Sequence, residues 1–139
     1  MAVTDFVAEL IGLGHEDARV DAGVIEAGCV VWTWEVPTGP LLGRTIELGA
    51  CVGEDYPDTP PRGPFVRPHL LPINTQGGEH PRASVHPGNQ HGFPDATWQY
   101  WSRPFNGWAR SSHDARAYLA FLRSLFDTLP ADLRFPEAA

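Results

Sequence analysis

Between Glu79 and Asp95 the chain gathers side chains that could move protons or hold a metal. His80, His86 and His91 stand six and five positions apart, flanked by Glu79 and Asp95. Three imidazoles could hold zinc with an open fourth position, which would make a hydrolase. Those spacings match no recognised metal motif, and a zinc site also needs rigid outer partners. A solvated His-rich turn is therefore expected, with no metal and no cofactor. Ser84, His86 and Asp95 could form a nucleophile, base and orienting group, but no Gly-x-Ser-x-Gly elbow surrounds Ser84. His86 helped by Asn89 or Asp95 is the remaining arrangement, suited to acid/base or acyl-transfer chemistry.

The other reactive groups are two thiols. Cys29 and Cys51 lie in strand-like segments without Cys-x-x-Cys spacing, which predicts reduced thiols of a cytoplasmic protein rather than a secreted disulfide framework. Each is expected to be a small residue on a strand face.

The elements that must position these groups follow from periodicity. Phe6, Val7, Leu10 and Leu13 mark one face of a helix over 4–13, with Thr4 or Asp5 to cap it. A first strand is expected over 19–27. Val30, Trp32, Trp34 and Val36 alternate with Val31, Thr33 and Glu35 in a second, and Ile46, Leu48, Ala50 and Val52 with Thr45, Glu47, Gly49 and Cys51 in a third. Cys51 should thus share a face with Glu47, away from Ile46 and Leu48. Phe65 to Leu71 predict a fourth strand, ended or broken by Pro68. The stretch 72–96, rich in Gly and Pro, reads as a long irregular loop. Residues 111–129 predict a helix that opens on a capping-box-like Ser111 and Asp114, carries Ala115, Tyr118, Leu119, Leu122, Leu125, Phe126 and Leu129 at spacings of three and four, and stops at Pro130. The fold class is α+β, one domain over 1–139, with its core over about 4–129 and a tail at 130–139.

The 139 residues carry a net charge of −7, and all ten basic residues are arginine. No basic cluster is present to displace counterions from phosphate, which argues against nucleic acid and anionic membrane surfaces. No apolar run approaches the ~18 residues of a membrane span. The lysine-free composition fits codon bias, or avoidance of self-modification beside an isopeptide-forming apparatus. Trp98, Tyr100, Trp101, Phe105 and Trp108 crowd into a short stretch with Arg103 and Arg110, residue types that build both cores and interfaces. Trp98 and Trp101 are expected in the core, with Phe105 and Trp108 nearer the surface.

Tyr56-Pro57-Asp58-Thr59-Pro60-Pro61 forms a stiff strap between the third and fourth strands, because each proline fixes its own φ and extends the residue before it. With Thr97-Trp98-Gln99-Tyr100-Trp101-Ser102-Arg103, Gly107-Trp108 and a closing helix through Tyr118-Leu119-Ala120-Phe121-Leu122-Arg123, the chain resembles the ubiquitin-conjugating (UBC) superfamily over about residues 4–129. The likeness is to its bacterial branch, found with activating-enzyme and JAB-type protease components. The resemblance implies a UBC-like antiparallel meander of about four strands between an N-terminal and a C-terminal helix. It also implies a role in ubiquitin-like protein conjugation, with a ubiquitin-like modifier and an activating-enzyme-like protein as partners. Active members carry a cysteine in the loop after the fourth strand. Here no cysteine follows Cys51. A catalytically deficient, partner-binding member is therefore expected, with Tyr56, Pro60, Pro61, Phe105 and Trp108 as candidate contacts. His86-Pro87-Gly88-Asn89 echoes the family's His-Pro-Asn element, whose asparagine steadies oxyanion charge, but Gly88 shifts Asn89 by one position.

Overall fold

Apolar residues at helical spacing open the chain. In the structure, a computed structural model that describes residues 2–21, 28–70, 85–87 (backbone alone), 97–101 and 103–129, helix α1 spans Ala2–Gly12. It buries Phe6 and Leu10, while Val7 and Leu13 pack at the margin of the same core. The helix begins earlier than its stripe implied, so Thr4 and Asp5 lie inside the first turn rather than capping it. Asp5 still sits where the positive end of the helix favours a carboxylate.

Six strands form one antiparallel sheet: β1 (Arg19–Val20), β2 (Cys29–Glu35), β3 (Thr45–Cys51), β4 (Arg62–Arg67), β5 (Val85–Pro87) and β6 (Gln99–Trp101), in the order β1-β2-β3-β4-β6-β5. The first four run in the expected meander order, but β4 begins at Arg62 rather than Phe65 and ends before Pro68. β5 and β6 exceed the expectation of about four strands, and β5 corrects that of a wholly irregular stretch 72–96. Three residues are too few to show a period of two, so neither β5 nor β6 announces itself in the sequence. Of the first strand expected over 19–27, only Arg19–Val20 is a strand, and 22–27 lie outside the described residues.

Strict alternation in β2 and β3 divides the sheet into two faces. Trp32, Trp34, Ile46, Leu48, Val66 and Trp101 pack under both helices, whereas Cys29, Val31, Phe65, Trp98 and Tyr100 form a smaller cluster on the opposite face, joined by Cys51. Cys51 thus shares the face of Glu47, as the alternation required. There Arg67 grips the Glu47 carboxylate with two bonds of 3.1 and 2.7 Å and lies 4.3 Å from the Trp98 ring centre. Such a fork combines charge with fixed geometry. Trp98 and Trp101 are both core residues, but on opposite sides of the sheet.

Helix α2 spans Ala115–Asp127 and buries Ala115, Tyr118, Leu122 and Phe126. It starts later than expected, because a single 3-10 turn at Trp108–Arg110 precedes it and Asp114, not Ser111, is its N-cap. Asp114 accepts 3.0 and 2.6 Å hydrogen bonds from the Ala117 N–H and the Ser112 hydroxyl. The Ser112 bond above all holds its carboxyl below the usual carboxylate range; burial opposes it, and the Ala117 N–H, the Arg116 charge and the Arg116 N–H add to the lowering. A folded pKa below the unfolded one means that this stabilisation is present above about pH 4 and is lost as pH falls through the folded value. Asp114→Ala is accordingly expected to cost about 1 kcal/mol at neutral pH. Denaturant titrations of both proteins should converge as the pH is lowered below about 4.

A second carboxylate joins three parts of the fold. Glu9 of α1 accepts bonds from the Tyr56 hydroxyl at 2.5 Å and from the Ala115 N–H, the first of α2, at 2.9 Å. Burial, then the bond to Glu9 and its charge, push the Tyr56 hydroxyl well above its ordinary pKa, so it remains a donor.

Candidate functional site

Pro64 should not be tolerated in a central strand, because it offers no N–H to the ladder. It is accommodated by a bulge. Gly49 pairs with Phe65 and Cys51 with Arg62, so Gly63 and Pro64 together stand opposite the single residue Ala50. Bulges bend a strand and re-aim its side chains. Gly63 takes φ 144°, and a Cβ there would meet the Phe65 nitrogen and the Tyr118 hydroxyl oxygen at 3.2 Å.

The bend opens a groove of about 430 Å³ lined by Pro60, Pro61, Arg62, Gly63, Tyr100, Arg103, Pro104 and Phe105. One wall is the end of the proline strap. The other is the segment leaving β6. The Arg62 guanidinium lies 5.8 Å from the Phe65 ring centre and 5.7 Å from that of Tyr100, and the two rings are 4.8 Å apart. A guanidinium over aromatic faces is attracted by the ring quadrupoles and is steered by them. Arg103 is half-buried, and burial pulls its pKa down from the ordinary value. Phe105 is held from behind, stacked on Phe121 at 4.5 Å and edge-on to Trp108 at 5.4 Å. In a chain of net charge −7, this groove concentrates two guanidinium groups among apolar walls. Such a lining suits an extended segment that carries a carboxylate or another oxyanion.

The candidate contacts read from the sequence divide into two layers. Pro60, Pro61 and Phe105 line the groove together. Tyr56 and Trp108 are buried behind it, at 5% and 4% exposure, which corrects the surface position expected for Trp108. Tyr56 donates to Glu9, and the Trp108 indole N–H donates to the Pro57 carbonyl at 3.0 Å. Their rings, 6.1 Å apart, fix the inner side of the strap. They position the groove wall rather than touch what lies in it.

Of the candidate catalytic residues, His86 is on β5 as the register partner of Tyr100, next to the groove. Asn89 and Asp95 lie outside the described residues, as do Glu79, His80, Ser84 and His91. Arg62 and Gly63 escaped the sequence reading. The available signal was Arg-Gly-Pro directly after two prolines, a place where a backbone irregularity presents a cation. Among the described residues no helix is long and apolar enough to cross a membrane, and no three potential metal ligands cluster. The chain matches no protein-family model, no curated protein and no solved structure.

Proposed function

We propose that this chain is a UBC-like protein of a bacterial ubiquitin-like modification system. It acts by binding a modifier or an activating-enzyme-like partner rather than by carrying a thioester. The observation that supports this reading best is the groove beside the proline strap. Pro60, Pro61 and Phe105 offer apolar walls to an extended chain, and Arg62 and Arg103 offer donors to a carboxylate. No cysteine is among the lining residues, and none follows Cys51 in the sequence. Without a sulfur nucleophile at the groove, acyl transfer to the protein has no acceptor there.

The test uses the purified full chain, a peptide with the C-terminal sequence of the modifier encoded beside the gene, and the same peptide amidated. The free acid should bind and the amide should bind more weakly. Arg103→Ala should weaken binding of the acid by about tenfold, the size expected when a hydrogen bond to a charged group is lost. Incubation with intact modifier, activating component and ATP should give no thiol-sensitive adduct. An adduct abolished by Cys51→Ser would overturn the binding-only reading.

A second reading is favoured by the register of β5, which sets His86 beside Tyr100 of the groove. In that reading His86 serves as the acid/base group of an acyl transfer. It requires a pH-dependent activity that His86→Ala removes while the fold stays intact.

A further inference from the structure

Cys29 and Cys51 are register partners across β2 and β3, and their sulfur atoms stand 2.8 Å apart. The ladder explains the approach. The Val52 N–H donates to the Gly28 carbonyl at 2.8 Å, which makes Gly28 and Val52 a hydrogen-bonded pair. The next pair, Cys29 and Cys51, is therefore a non-hydrogen-bonded one, where Cα atoms lie about 4.5 Å apart and side chains come closest. That separation falls inside the roughly 4.4–6.8 Å window of a disulfide. Gly28 keeps the strands this near, since a Cβ on it would stand 2.4 Å from the Val52 carbonyl oxygen. Cys29 is wholly buried and Cys51 only partly. One sulfur can be reached from outside, and the other is ready behind it.

We propose that Cys29 and Cys51 are a redox-active dithiol whose co-substrate is a low-molecular-weight disulfide of the glutathione class, with Cys51 as the attacking and Cys29 as the resolving sulfur. The Cys51 thiolate attacks one sulfur of the oxidised co-substrate, forming a mixed disulfide and expelling one thiolate. Cys29 then attacks the Cys51 sulfur, the internal S–S bond forms, and the second thiolate leaves. Two electrons pass from the protein to the co-substrate, and the two thiol protons end on the released thiols. Arg62, the neighbour of Cys51 on β4, sets a cation beside the site for an anionic co-substrate. The exchange does not require the partner-binding reading, because neither sulfur lines the groove and the two share only Arg62.

The experiment treats the folded full chain with excess oxidised glutathione and follows intact mass and maleimide labelling. The wild type should lose two hydrogens and, when labelled after denaturation, both maleimide-reactive thiols, and dithiothreitol should restore them. Cys29→Ser should stop at a stable glutathione adduct, and Cys51→Ser should remain unmodified while folded. A wild-type chain that keeps both thiols, retains glutathione, or forms disulfide-linked dimers overturns the proposal. The wild-type masses decide it even if a variant fails to fold.

Discussion

Gln99→Leu should destabilise the protein by about 3–5 kcal/mol, although it replaces a polar side chain in the core with an apolar one of similar size. Gln99 is only 2% exposed and makes three bonds. Its side-chain oxygen accepts from the Leu70 N–H at 3.0 Å and the Trp101 indole N–H at 2.7 Å, and its amide donates to the Leu70 carbonyl at 3.1 Å. Leucine leaves all three partners buried and unpaired, at about 1–3 kcal/mol for each group that finds no water. The Gln99 amide also acts as a missing stretch of ladder, taking the place of a backbone partner for Leu70 after β4 ends. Urea titrations should show a lower midpoint with an unchanged slope. Gln99→Glu offers a sharper check. A carboxylate buried against the Leu70 carbonyl has its pKa raised above the ordinary value of about 4.3, so stability should be fully present below that unfolded value and lost as pH rises through the folded pKa. A variant with wild-type stability at neutral pH would show that these bonds carry little net energy.

Phe126→Ala is expected to cost about 3–5 kcal/mol through the cavity it leaves. The ring is fully buried, stacked on Trp101 at 5.3 Å and edge-on to Trp34 at 5.0 Å. Trp101 comes from β6, Trp34 from β2 and Phe126 from α2, so one truncation loosens contacts among elements distant in the sequence. Each ring pair adds about 0.5–1.5 kcal/mol beyond area burial. The near-ultraviolet circular dichroism of the tryptophans should weaken along with stability. Phe126→Leu, which fills most of the space, should lose distinctly less.

Where side chains alternate over five or more positions, the sequence was readable. Val30 to Val36 and Thr45 to Val52 settle β2, β3 and the face of each residue, because a strand buried on one side must repeat every second position. The two helices were legible for the same reason at a period of 3.6. Their ends were not, since a helix start depends on which oxygen reaches which N–H, and Asp114 outcompetes Ser111 for that place. The site was harder. Pro60, Pro61 and Phe105 stood out as rigid or aromatic residues near turns, but the groove they share depends on a bulge at Gly63 that no periodicity encodes. Trp108 lies deeper than expected because the strap folds back over it, and the Pro57 carbonyl that receives its N–H is distant in the sequence. The pairing of Cys29 with Cys51 depends on register, which alternation leaves open by even shifts.

The Glu9 carboxylate has a consequence for how the molecule is made. One oxygen of a side chain near the start of the chain holds partners 47 and 106 positions downstream. Contacts of such span form late, after most of the loop-closure entropy has been overcome. During synthesis α1 must therefore wait, its apolar stripe uncovered, until α2 has left the ribosome. A nascent chain halted before Ala115 should lack its fold and be held by chaperones, so this part of the fold closes in one step once α2 has emerged.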